Sequence, residues 1–160
     1  MHPAFLDASD RLGILVYEEI ASWQHTAGPR FAENAVKMME EMIARDRHHP
    51  SIILWGLFNE ARDPDLLRRL NDTAHRCDPY RPTIYADNRP KEGIERGTVG
   101  IPDVLGINYE MEELDELREA LPGVKVISSE HTNADMTDSG DVDKEVYQLA
   151  RLMRDLDRLD

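Results

Sequence analysis

Cysteine occurs once, at position 77, so the chain can close no internal disulfide and offers no zinc framework of paired cysteines. A lone thiol fits a reducing compartment, and a cytoplasmic location is the expectation. Lysine is also scarce. It stands only at positions 37, 91, 125 and 144, which leaves 15 Arg among the 19 basic residues. Against 32 Asp and Glu the net charge is −13, which argues against a surface made for the nucleic-acid backbone. An acidic, lysine-poor surface stays hydrated and self-repelling, as suits a high-salt organism, although a GC-rich genome produces the same Arg excess. No apolar run approaches the ~18 residues of a membrane span, so no membrane partner is expected. The first residues lack the basic-then-apolar order of a secretory signal. A hydrophobic content of 41% over 160 residues is enough for a real core, and residues 1–160 read as a single domain.

What is present is concentrated in HPSIILWGLFNE, residues 49 to 60. After Pro50, the stretch from Ser51 to Phe58 is an almost unbroken apolar run that stops at Asn59-Glu60. Such a run fits a strand buried on both faces, as in a parallel sheet. A carboxylate at the carboxyl end of such a strand stands where α/β sheets place their chemistry. Alternatively, Glu60 only caps the next helix. A second strand weighs against that reading. Residues 124 to 129, VKVISS, come after the Leu121-Pro122-Gly123 turn and end in Glu130. Two glutamates terminating buried parallel strands project from one face of the sheet. Glycoside hydrolysis needs such a pair: one carboxylic acid to protonate the leaving oxygen, one carboxylate to attack or assist at the sugar carbon. The 70 positions between them (130 minus 60) hold two or three βα units of ~30 residues each.

The rest of the chain alternates in the same way. A helix is expected from Pro3 to Arg11, with Phe5, Leu6 and Ala8 apolar and Gly13 ending it. Strands are expected at Ile14–Tyr17, Thr83–Ala86 and Val104–Asn108. Helices are expected at Phe31–Arg45, after an Asp63 N-cap with Pro64, and at Glu113–Leu121. Gly93 to Gly100 reads as a glycine-rich loop. Thr132 to Asp143 reads as a polar loop before a last amphipathic helix, Glu145 to Leu159. Five strands in βα order mean a parallel sheet with covering helices. Pattern alone leaves a doubly wound sheet and a β/α barrel both open.

Three blocks resemble the catalytic barrel of the beta-galactosidase/beta-glucuronidase family, glycoside hydrolase family two. They are HPAFLDASDRLGILVYEEI (2 to 20), RDRHHPSIILWGLFNE (45 to 60), and VLGINYE (104 to 110) with VKVISSE (124 to 130). The middle block is the most specific. The resemblance implies an incomplete TIM (β/α)8 barrel carrying the equivalents of strands three to seven. It implies a retaining β-glycosidase acting on a carbohydrate, galactosidase- or glucuronidase-like; no cofactor or metal is expected. Glu60 would be the general acid/base, Glu130 the nucleophile, Asn59 a donor or acceptor to the sugar 2-hydroxyl, and Tyr109 a hydroxyl donor to Glu130.

Lesser candidates carry two readings each. Glu19 lines the sugar pocket or makes a structural hydrogen bond. Trp23, in the loop with His25, stacks on a sugar face or covers the barrel. His131 comes after Glu130 and is placed to touch substrate, while metal ligation lacks a second His or Cys at ligand spacing. Trp55 reads as core, and His48 and His49 fall at the amino end of their strand, away from the chemistry. A full barrel takes roughly 250 residues. Missing segments or a second copy would therefore complete this one. The alternative is a non-catalytic barrel fragment or a carbohydrate-binding or assembly subunit.

Overall fold

The computed structural model describes residues 1–24 and 28–131. The expected loop at Thr132–Asp143, the helix at Glu145–Leu159 and His25 lie outside the described residues. Four of the five α-helices among the described residues begin on a proline: α1 (Pro3–Leu12), α2 (Pro29–Asp46), α3 (Pro64–Cys77) and α4 (Pro90–Arg96). The fixed φ of proline suits the first helical turn, and its missing N–H is one the helix would leave unpaired there anyway. Asp63 caps α3, its carboxylate accepting from the N–H groups of Asp65 (3.1 Å) and Leu66 (3.0 Å). The fifth helix, α5 (Leu114–Ala120), continues from a 3-10 turn at Met111–Glu113.

Between the helices run β1 (Val16–Glu19), β2 (Ile52–Asn59), β3 (Thr83–Asp87), β4 (Val104–Asn108) and β5 (Val126–Glu130). They form one sheet in the order β1-β2-β3-β4-β5, and every pair is parallel. Strictly sequential order settles the architecture. A doubly wound sheet reverses its strand order at a switch point, and this one does not. The five strands are a half-barrel with its covering helices. Their carboxyl ends, Glu19, Asn59, Asp87, Asn108 and Glu130, are all polar and share one rim.

The core lies between strands and helices. Leu6, Met39, Ile43, Leu67, Leu70, Trp55, Leu105, Leu114 and Leu117 are fully buried there. Each buried leucine contributes about 2 kcal/mol by leaving water. Trp55 is core, as expected, and its indole N–H donates to Asp78 Oδ2 at 3.0 Å. His49 is structural too. Its Nδ1 lies 2.7 Å from Asp10 Oδ2, and Asp10 Oδ1 accepts the Ser51 N–H at 3.0 Å, tying α1 to the amino end of β2.

Four details differ from the sequence-based expectation. The first strand begins two residues late, at Val16, leaving Ile14 and Leu15 exposed. In α1 the inward residues are Leu6 and Ser9, while Phe5 is exposed. The expected glycine-rich loop is partly helix: α4 runs through Gly93, where a Cβ would fall 2.5 Å from Val99 Cγ1 and 2.6 Å from Asp87 Oδ2. Glycine there serves close packing of helix on strand, not chain flexibility. Finally, β5 is half-buried along its whole length, whereas β3 is buried throughout. Among the described residues, β5 is the last strand of the sheet and has a neighbour on one side only.

Candidate active site

Residues just past the strand ends build the rim. Glu60 comes directly after β2, Tyr109 directly after β4, and Gln24 lies in the segment after β1. These three are the non-glycine residues with positive φ among the described residues, at +56°, +70° and +53°. Left-handed backbone costs a non-glycine residue about 1 kcal/mol or more and persists only where surroundings enforce it. Here hydrogen bonds enforce it. The Glu60 N–H donates to Ala86 O at 2.8 Å, the Tyr109 N–H to Glu130 O at 2.8 Å, and the Gln24 N–H to Asn59 O at 3.1 Å. Three strained residues on one rim mark it as the candidate site.

Glu60 is buried, at 6% exposure, and holds three N–H donors. Its Oε2 accepts from Trp23 Nε1 at 3.0 Å and Gln24 Nε2 at 2.7 Å, and its Oε1 accepts from Asn108 Nδ2 at 3.3 Å. Glu130 is half-buried. Its Oε2 accepts a short hydrogen bond from the Tyr109 hydroxyl, and its Oε1 accepts from Asn59 Nδ2 at 3.4 Å. The bond to Glu130, with burial and that carboxylate's charge, pushes the Tyr109 phenol up to about 12. Tyr109 therefore stays a donor at any physiological pH.

Asn108 links the two glutamates. Its Nδ2 donates to Asn59 Oδ1 at 3.0 Å as well as to Glu60, and its Oδ1 accepts from Ser129 Oγ at 2.7 Å. A continuous chain thus runs from Glu60 through Asn108 and Asn59 to Glu130. Asn108 is fully buried, so any of these bonds left unmade would go uncompensated by water.

Glu19 stands on the inner face of the half-barrel. Side chains alternate along β1, and the neighbouring Glu18 faces Arg45 of α2, 3.6 Å away. Glu19 accepts a short hydrogen bond from Tyr17, and the two close over Gly56. A Cβ at Gly56 would fall 2.3 Å from the Tyr17 ring and 2.5 Å from Glu19 Cβ. Burial raises Glu19 to about 7, helped by the charge of Glu130 and opposed by the Tyr17 bond. Burial also pushes the Tyr17 phenol far up, with the Glu19 charge next in weight.

Of the candidates from the sequence, Glu60, Glu130, Asn59, Tyr109 and Trp23 meet in one hydrogen-bonded group. Glu19 feels Glu130 through its charge. His131 lies immediately beyond β5, half-buried. Trp23 does something neither reading of it anticipated: its indole N–H holds Glu60. Sequence reasoning missed Gln24, Asn108, Ser129 and Tyr17. Only Asn108 carried a usable signal, a polar residue closing an apolar strand in the same manner as Asn59.

Comparison with known proteins agrees with the fold. Residues 1–149 match the family model described as glycosyl hydrolases family 2, TIM barrel domain. A beta-galactosidase of Thermoanaerobacter pseudethanolicus is 44% identical over 82 residues, covering 50% of this chain and 11% of the relative. A beta-glucuronidase of Bacteroides fragilis is 33% identical over 96 residues, covering 52% of this chain and 14% of that one. Among solved structures, a beta-D-glucuronidase from Dictyoglomus thermophilum superimposes with a TM-score of 0.80 at 25% identity, over 99% of this chain and 34% of its own. The chain thus spans about a tenth of the length of the first curated relatives it matches. With a sequential parallel half-barrel, a glutamate ending each of two strands, and a family match over nearly its whole length, the chain belongs to the TIM barrel domain of glycosyl hydrolase family 2.

Proposed function

We propose that this domain carries the catalytic pair of a retaining β-glycosidase, with Glu60 as acid/base and Glu130 as nucleophile. The observation that supports this most is the hydrogen-bonded chain Glu60–Asn108–Asn59–Glu130 across a barrel rim. It holds two carboxylates in different surroundings within one site, and that asymmetry is what acid/base and nucleophile roles require. In the first step a Glu130 oxygen bonds to the anomeric carbon while the glycosidic C–O bond breaks, and Glu60 gives its proton to the departing oxygen. In the second, Glu60 takes a proton from water, whose oxygen displaces Glu130 and frees the sugar. Tyr109 donates to the Glu130 oxygen not used in attack and orients the other. Asn59, held by Asn108, presents its amide to the sugar.

The substrate is a β-glycoside. The similar proteins named above divide between galactosidases and glucuronidases, and the sugar is one of these two classes. The reading is tested by Glu130→Gln in the protein as its gene encodes it, assayed with 4-nitrophenyl β-D-galactoside and β-D-glucuronide. Activity should fall on the order of 10⁴-fold or more, as when a covalent nucleophile is removed. Unchanged turnover would exclude Glu130 as the nucleophile.

A further inference from the structure

Resting on the acid/base reading of Glu60, we propose that Trp23 and Gln24 are positioning residues that reserve one oxygen of Glu60, Oε1, for proton delivery. The placement comes from the backbone. After β1 ends at Glu19, the chain stays along β2: the Ile20 N–H donates to Gly56 O at 3.4 Å, Trp23 pairs in parallel with Asn59, and the Gln24 N–H donates to Asn59 O at 3.1 Å. The chain therefore arrives at the carboxyl end of β2 together with Glu60. Gln24 takes a left-handed conformation there, with φ +53°.

Two donors then converge on a single atom. Trp23 Nε1 at 3.0 Å and Gln24 Nε2 at 2.7 Å both give a hydrogen bond to Glu60 Oε2. A carboxyl oxygen has two lone-pair directions, and both on Oε2 are taken. A proton on Oε2 would displace one of these donors. The proton therefore resides on Oε1, whose other contact is the longer 3.3 Å bond from Asn108. Asn108 also bonds Asn59, and Asn59 bonds Glu130, so Oε1 is the oxygen on the nucleophile's side. When Glu60 is charged, as it must be to activate water, the same two N–H groups stabilise the carboxylate and keep it from rotating. The Tyr109 phenol feels the charge of Glu60.

Trp23 is 60% exposed, so it is open to a different use, stacking on a sugar. Leaving-group dependence separates the two. The experiment compares the W23F/Q24L double variant with wild type on two substrates of the same sugar, phenyl and 2,4-dinitrophenyl β-D-galactoside, or the matching glucuronides where wild type cleaves only those. Phenol leaves only with a proton, and dinitrophenolate leaves without one. Misplacing the proton should lower kcat/KM for the phenyl glycoside by about 10- to 100-fold, and change the dinitrophenyl value by less than about threefold. Equal losses on both substrates, or none on either, overturn the proposal; the first is the mark of a sugar platform or of a purely structural role. Both positions are at the surface, and should the double variant fail to fold, Trp23→Phe and Gln24→Leu separately carry the same comparison. Glu60→Gln is run alongside. If it spares the phenyl substrate, the acid/base reading itself falls. If it loses the phenyl substrate selectively while the loop variants do not, only the role of Trp23 and Gln24 falls.

Discussion

The two glutamates that carry the proposed chemistry end strands of the same sheet, yet they are held in opposite ways. Glu60 stands at the end of an inner strand, is almost wholly buried, and is bound by N–H donors from three side chains. Glu130 ends a strand at the edge of the sheet formed by the described residues, is half-buried, and is bound by a phenol O–H and one amide. Sheet position is the physical origin of the difference. A central strand has neighbours on both sides, so loops from both sides converge on its end. β5 has β4 alone among the described residues, and its glutamate is bonded by Tyr109, beyond β4, and Asn59 of β2. Asn108 joins the two environments, bonding Glu60 directly and Glu130 through Asn59.

Removing the strongest donor to the outer glutamate is the sharpest way to break this comparison. Tyr109→Phe should lower kcat by about 10² to 10³-fold with the fold intact, by analogy with loss of a single donor at a developing charge. Steady-state kinetics with unfolding midpoints as a control would check it; a change under about threefold would show that Glu130 is oriented by other contacts.

Cutting the link should weaken both sides at once. Asn108→Leu removes the hydrogen bonds to Asn59 Oδ1 and Ser129 Oγ, both on half-buried residues, and the donor to Oε1 of the buried Glu60. It should cost about 1–3 kcal/mol of stability and on the order of 10²-fold in kcat/KM through misplacement of both carboxylates. Denaturant unfolding together with kinetics would test this, and loss of stability without loss of kcat/KM would make the link structural only.

The smallest effect concerns Glu19. Its folded value, about 7, lies above the ordinary 4.5 of a glutamate. Between those two values the unfolded chain gives up this proton while the folded chain keeps it. The unfolded state is therefore favoured as pH rises through that window, and folding stability falls. Glu19→Gln should flatten the decline of Tm between about pH 4.5 and 7. A variant whose Tm falls as steeply as that of wild type would show that Glu19 is not the group responsible.

Legibility in the sequence tracked the strands. Asn59, Glu60 and Glu130 could be read because each terminates an apolar run, and Tyr109 because it comes just after one. The error at Gly93 has a different cause. Glycine reads as a loop former, but here it is small because Asp87 and Val99 pack against the helix at that point, and sequence spacing cannot reveal that approach. The late start of β1 has a similar origin. Ile14 and Leu15 are apolar enough for a strand, but the pairing partner of β1 begins at Ile52, opposite Val16.

By itself the sequence determined which elements form and in what order. Apolar runs, prolines at helix starts and polar strand ends are local properties, and the parallel βα alternation arises from them. Tertiary structure alone decided which way the sheet is wound, and it alone brought Trp23 and Gln24 to Glu60, Asn108 between the glutamates, and Gly56 beneath the Tyr17–Glu19 pair. Each of those approaches depends on sheet register or on the path of a loop, and no single residue encodes either.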